Sequence, residues 1–152
     1  MEAKITLRDA RPSDLDSLLS IQKASPGAAV WTRDAYESLL AADGTICLVA
    51  EGKGEERNGF VLARVAADEM EILNLAVRPT ARRRGLGRRL VVGALSRARA
   101  RGVRHCWLEV RASNQAALDF YLALGFEERA RRPAYYRDPV EDAVICARPL
   151  AP

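Results

Sequence analysis

An arginine- and glycine-rich turn, Arg82-Arg83-Arg84-Gly85-Leu86-Gly87-Arg88, lies between a strand-like run ending at Val77 and a long helix-like run. The first backbone N–H groups of a helix have no internal acceptor and sit at the positive end of its dipole. Glycines at 85 and 87 remove Cβ atoms that would keep an anion from those donors. Arginines at 82, 83, 84 and 88 add charge where phosphates would lie. Two familiar phosphate loops do not fit. A Walker loop continues Gly-Lys-Ser/Thr, and here Gly87 is followed by Arg88-Arg89. A dinucleotide fingerprint needs a glycine where Leu90 stands. By itself the turn is either a phosphate seat or a charged helix entry.

Downstream, Glu109 interrupts the apolar strand run Cys106-Trp107-Leu108-Glu109-Val110. It faces away from Leu108 and Val110. A carboxylate there has either a chemical purpose or an ion pair with Arg111 or another nearby arginine. Asn114 and Tyr121 stand seven residues apart and share one helix face, and Asn114 also occupies an N-cap position. Cys47, Cys106 and Cys146 are odd in number and lack paired spacing, and His105 is the one histidine. That pattern argues against a disulfide framework and a zinc site, and no metal is expected. The cysteines read as small buried apolar residues in strands. With His105 taken as structural, a Ser-His-Asp or Cys-His hydrolase lacks its base.

The elements that must position these residues change character midway. Ile5 to Arg8 reads as a short strand, and Pro12-Ser13-Asp14 as the cap of a helix carrying Leu15, Leu18, Leu19 and Gln22. Thr32 caps a second helix with Tyr36, Leu39 and Leu40 on its buried face, ended by Asp43-Gly44. Thr45–Ala50, Phe60–Ala66 and Met70–Val77 follow as antiparallel strands, with Gly52 to Gly59 as a hairpin connection. From Pro79 the pattern becomes helix–strand–helix. Leu86, Leu90, Ala94, Leu95 and Ala98 mark one face of a long helix closed by Gly102. A strand over Val103–Val110, a helix over Asn114–Leu124 closed by Gly125, and two strands from Phe126 and over Ala143–Ala147 complete the chain. This is one α+β domain over residues 1–152, with a mixed sheet and helices on both faces.

Composition agrees with a globular protein: 49% apolar, 29% charged. No run approaches the roughly 20 apolar residues of a membrane span, and Met1 to Thr6 lacks a signal-peptide pattern. A cytoplasmic location without a membrane partner is expected. The net charge is +4 and 21 of the 24 basic residues are arginine. That charge suits nucleic acid, an acidic protein surface or a phosphorylated cofactor.

The second half of the chain resembles the GCN5-related N-acetyltransferases (GNAT). Within them it is most similar to the bacterial ribosomal-protein-alanine N-acetyltransferases, the RimI branch. The resemblance is carried by Leu73-Asn74-Leu75-Ala76-Val77-Arg78-Pro79, Arg82 to Arg88 and Trp107-Leu108-Glu109-Val110-Arg111-Ala112-Ser113-Asn114. It continues through Tyr121, Leu124-Gly125-Phe126, Arg131-Arg132, Tyr135-Tyr136 and Glu141-Asp142-Ala143. It implies the GNAT fold, a mixed, mostly antiparallel sheet whose fourth and fifth strands splay into a V-shaped cleft. It implies acetyl-coenzyme A as cosubstrate, with the pantetheine arm against Leu75, Ala76 and Val77. The pyrophosphate would lie on the amides around Arg83, Arg84, Gly85, Leu86, Gly87 and Arg88 with Arg82 beside them, and Asn114 would contact the cofactor.

The same resemblance assigns Glu109 as the base and Tyr121 as the acid of a direct transfer. The acceptor it implies is the N-terminal alanine of a small-subunit ribosomal protein. Two departures, Val30 in place of proline before Trp31 and the inserted Pro133, fall on the acceptor side. Trp31 either staples the second helix or lines the peptide entrance. Tyr135-Tyr136 with Arg131 and Arg132 form either a strand rim or part of the acceptor groove. The alternatives are an acetyltransferase for another N-terminus, a lysine or a small amine, an RNA-binding module built on the arginine clusters, and a non-catalytic acyl-coenzyme A sensor. No aromatic lies between Phe60 and Trp107, across the densest basic stretch, so base stacking is disfavoured there and no direct nucleic-acid contact is expected. The oligomeric state is left open.

Overall fold

The computed structural model describes residues 4–151. Met1, Glu2, Ala3 and Pro152, included in the expected 1–152 domain and in the N-terminal reading, lie outside the described residues. Among these, the strands are β1 (Thr6–Asp9), β2 (Thr45–Glu51), β3 (Arg57–Ala66), β4 (Glu69–Val77), β5 (His105–Arg111), β6 (Glu127–Tyr136) and β7 (Glu141–Pro149). The helices are α1 (Leu15–Lys23), α2 (Arg33–Ala41), α3 (Leu86–Ala100) and α4 (Gln115–Ala123). One sheet runs in the order β1-β2-β3-β4-β5-β7-β6. Every pairing is antiparallel except β4 with β5. The mixed α+β GNAT architecture expected from the sequence is present.

Two cores, one on each sheet face, fix the layers. α3 buries Leu86, Leu90, Val91, Ala94, Leu95 and Ala98, the expected stripe plus Val91. These pack on Ile46, Leu48, Val61, Met70, Leu108 and Val144. Each leucine fully buried there contributes about 2–3 kcal/mol relative to exposure. On the other face, Leu15, Leu18, Ile21 and Tyr36 pack on Cys47, Val49, Phe60, Leu62 and Ala76. All three cysteines are buried within strands, as expected. Burial pushes the Cys106 thiol up to about 12, which suits an inert apolar filler.

Several local readings shift. Thr32 does cap α2, accepting from the Ala35 amide at 3.2 Å, while Leu39 and Leu40 are half-buried rather than core. Asp14 does not cap α1 with its side chain. Pro12–Asp14 forms a 3-10 turn, and the fully buried Asp14 carboxylate takes Arg8 through both oxygens at 2.8 Å each. It also takes Arg57 at 3.0 Å and the Arg11 amide at 2.7 Å. Three donors from outside the helix outcompete a local cap because the site is shielded from water. β3 begins at Arg57, so the hairpin connection is shorter than the expected run to Gly59.

The decisive irregularity is in β4. Leu62 faces Asn74 and Ala63 faces Ile72, so Leu73 is an extra residue in the ladder. A bulge of this kind bends its strand and re-aims the side chains beyond it. Before it, Met70 and Ile72 face the α3 core; after it, Leu75 and Val77 pack on that side. β4 pairs with β5 only at Glu69–His105, Met70–Cys106 and Glu71–Trp107. Past that point β4 runs on to Val77 and β5 to Arg111 without pairing. The two strands open the expected V.

Candidate active site

The bulge is held by a buried polar network. The Trp31 indole donates to the Leu73 carbonyl at 3.2 Å. The Asn74 amide nitrogen donates to the Ala29 carbonyl at 3.0 Å, the Tyr36 hydroxyl at 3.1 Å and Gln22 Oε1 at 3.2 Å. Asn74 Oδ1 accepts from the Ala29 amide at 3.1 Å and the Leu75 amide at 3.0 Å. The loop between α1 and α2 is thereby tied to the strand that opens the cleft. Trp31 is a clamp on the bulge. Asn74 was inside the motif quoted from the sequence but had no role assigned. Its signal there was an amide in the middle of the apolar run Ile72-Leu73-Asn74-Leu75-Ala76.

The V encloses a cleft of about 630 Å³, within the roughly 300–1,000 Å³ of small-molecule sites. Leu75, Ala76, Val77, Arg82, Gly87, Glu109, Asn114 and Tyr121 line it, joined by Phe120, Tyr136 and the 25–30 loop. Residues from β4, α3, β5 and α4, which the resemblance implies share a site, thus meet at one cavity. Arg83, Arg84, Gly85, Leu86 and Arg88 lie outside its lining. Two β4 backbone groups at the cleft are engaged: the Leu75 amide by Asn74, and the Val77 carbonyl by Arg82 Nε at 3.1 Å.

The α3 N-terminus is an open donor cluster. Gly85 is its N-cap at φ +72°, a left-handed conformation that costs a residue with a Cβ about 1–2 kcal/mol. Arg83 adopts φ +66°, so the turn doubles back just before the helix. The first intrahelical bond runs from the Arg89 amide to the Gly85 carbonyl at 3.0 Å. No side chain caps the helix, so the amides of Leu86, Gly87 and Arg88 remain available. Among the described residues, Arg83, Arg84 and Arg88 are exposed and form no ion pair. Free amides ringed by free guanidinium groups suit a polyanionic diphosphate.

At the other end of the cleft, the Glu109 side chain is 13% exposed and 3.5 Å from Arg132 Nη1. The ion pair weighed from the sequence therefore exists, but with an arginine of β6 rather than Arg111. Arg111 stacks on the Tyr136 ring, 4.3 Å from its centroid. The neighbouring Glu109 carboxylate is the main cause of the raised Tyr135 pKa. Tyr135 is 47% exposed while Tyr136 lines the cleft. The pair is therefore both rim and groove.

Tyr121 is buried between Phe120 and Phe126, with ring centroids at 5.0 and 5.4 Å. Burial, then the nearby Cys106 and Cys146, push its phenol well above the ordinary value. It is a weaker acid than a free phenol. A thiolate leaving into the same low-polarity cleft is raised by the same physics, which narrows the gap again. Asn114 caps α4, its Oδ1 accepting from the Ala117 amide at 3.2 Å. Its Nδ2 stays on the cleft side near Gly27.

The model of the acetyltransferase (GNAT) family matches residues 15–126. The [ribosomal protein bS18]-alanine N-acetyltransferase of Escherichia coli (strain K12) is 45% identical over 94 residues, 60% of this chain. The aligned stretch spans 64% of that relative's length, under two thirds. A relative from Bacillus subtilis (strain 168) is 33% identical over 146 residues, 95% of each chain. The crystal structure of the ribosomal-protein-S18-alanine N-acetyltransferase from Escherichia coli superposes with a TM-score of 0.88 at 32% identity. That superposition covers 98% of this chain and 96% of the other.

Proposed function

The chain belongs to the GNAT acetyltransferase family, and from that premise we propose that it acetylates a protein N-terminus, the N-terminal alanine of ribosomal protein bS18. In this reading residues 1–152 act as one N-acetyltransferase domain in the cytoplasm. The observation that carries it is the convergence of an uncapped helix start, Glu109 and Tyr121 on one cleft, together with the bS18-specific name of the Escherichia coli relative.

Acetyl-coenzyme A supplies the activated acetyl thioester. The Leu86, Gly87 and Arg88 amides hold its diphosphate, with Arg82, Arg83 and Arg84 neutralising charge around them. Leu75, Ala76 and Val77 flank the pantetheine arm, and Asn114 Nδ2 orients it. Glu109, directly or through a water, accepts the proton that the amine sheds as its carbon–nitrogen bond forms. Tyr121 gives its proton to the sulfur as the carbon–sulfur bond breaks. A peptide α-amine, with a pKa of about 8, asks little of Glu109 near neutral pH; a lysine amine near ~10.4 would cost roughly 3 kcal/mol more.

Thiol release is followed with acetyl-coenzyme A and three acceptors: a peptide with the bS18 N-terminus, an N-blocked lysine peptide and a polyamine. The proposal expects turnover of the first, at least tenfold above the others in kcat/KM. Preference for either of the others would move the acceptor to that class. No turnover of any amine would overturn the acetyltransferase reading.

A further inference from the structure

Glu71 stands one register step from the cleft and has no part in the reading above. It pairs with Trp107 at the last joined position of β4 and β5, and Glu109 lies two residues farther along β5. Alternation puts both carboxylates on the same sheet face, the one opposite the α3 core. The groups that bear on Glu71 come from three strands: Arg64 of β3, Glu109 of β5 and Arg132 of β6, with Tyr135 of β6 beside Glu109. In each ion pair the carboxylate is the deeper partner. Glu71 is 19% exposed against 54% for Arg64, 3.2 Å away; Glu109 is 13% exposed against 51% for Arg132. Negative charge therefore lies at the floor and positive charge on the rim. Each carboxylate meets its arginine through a single nitrogen, Glu71 at 3.2 Å and Glu109 at 3.5 Å, which leaves the facing oxygens open to a further donor; burial raises the Glu71 carboxyl above its ordinary value. A guanidinium is broad and planar, whereas an ammonium is compact and carries three donors.

Resting on the N-acetyltransferase reading, we propose that Glu71 is a specificity-determining residue of this site, forming with Glu109 a two-carboxylate seat for the ammonium form of the acceptor amine. An α-amine arrives mostly protonated near pH 7, is seated by the two charges, and then loses its proton on the Glu109 side for attack. Glu71 holds the acceptor and takes no proton in the transfer.

Steady-state kinetics of Glu71→Gln with saturating acetyl-coenzyme A and the alanine-starting peptide test this at pH values of about 7 and about 9.5, below and above the amine pKa. Losing one charged contact should raise acceptor KM about tenfold at the lower pH, with kcat changed less than about threefold. At the higher pH, where the amine is neutral, the KM penalty should shrink to within about twofold. Glu71→Asp keeps the charge and should restore most of the affinity. An unchanged KM near neutral pH, or a penalty equal at both pH values, would overturn the role of Glu71. In either case wild-type turnover leaves the acetyltransferase reading standing, whereas absence of wild-type turnover overturns both.

Discussion

Replacing Gly87 with alanine separates what the helix requires from what the ligand requires. Gly87 is the second residue of α3, and its backbone is not left-handed. A Cβ built there meets Phe120 Cε1 and Cζ at 3.4 Å each, ordinary contact with no backbone in the way. The fold has no need of glycine at this position. Alanine should therefore stabilise the helix by about 0.5–1 kcal/mol, raising the melting temperature of a chain this size by about 1–4 °C. For a diphosphate lying on the Leu86–Arg88 amides the same methyl is an obstruction. Losing one charge-assisted hydrogen bond costs about 1.5–3 kcal/mol, a rise of about 10- to 100-fold in the Kd for coenzyme A. Thermal melts without ligand and calorimetric titration with coenzyme A read the two effects separately. Gly85→Ala is the contrast: nothing lies within 4 Å of its Cβ, but φ +72° must be strained, so it should lower stability by about 1 kcal/mol. An unchanged coenzyme A affinity in Gly87→Ala would remove the phosphate from this helix start. A melting temperature lowered by several degrees would make the glycine structural instead.

Other substitutions test the remaining links. Tyr121→Phe keeps the ring between Phe120 and Phe126, so thermal stability should hold while kcat falls about 10²- to 10³-fold in the thiol-release assay. Asp14→Asn should cost about 3 kcal/mol in urea unfolding at neutral pH, because Arg8 and Arg57 lose the buried charge they enclose. Chiefly through Arg8, the Asp14 carboxyl is held well below the ordinary range when folded. Its contribution is therefore complete above the unfolded value, about pH 4, and is lost as pH falls toward the folded one. The gap between wild type and Asp14→Asn should accordingly narrow below about pH 4. Asn74→Leu removes the partner of the Leu75 amide and of the Ala29 amide and carbonyl, while Gln22 and the Tyr36 hydroxyl keep each other, and should destabilise by about 1–3 kcal/mol in the same assay.

What was legible in the sequence was local. α3 announces itself through a 3.6-residue apolar stripe over Leu86 to Ala98 and a glycine on either side. Thr32 and Asn114 announce caps because the cap bond is made within three residues. Glu109, Asn114 and Tyr121 stood out locally as polar groups on two short elements, while the roles proposed for them came from the family resemblance. The β4 bulge was not. It has no glycine or proline of its own, and its extra residue is stabilised by Trp31 and Gln22, more than forty positions upstream. Asp14 misled for the same reason, since a local cap and a remote pair of arginines make equal use of an aspartate. The Glu109–Arg132 pair likewise depends on β7 lying between β5 and β6, which no spacing in the chain encodes.

The most direct measurement is a crystal structure of the protein with a conjugate of coenzyme A and an alanine-starting peptide. The account predicts the diphosphate on the Leu86, Gly87 and Arg88 amides and the pantetheine arm beside Leu75 to Val77. The alanine nitrogen should lie about 3 Å from Glu109 or one water away, with the Tyr121 hydroxyl on the sulfur side. A conjugate bound outside the V, or an alanine nitrogen turned away from both Glu109 and Tyr121, would contradict it.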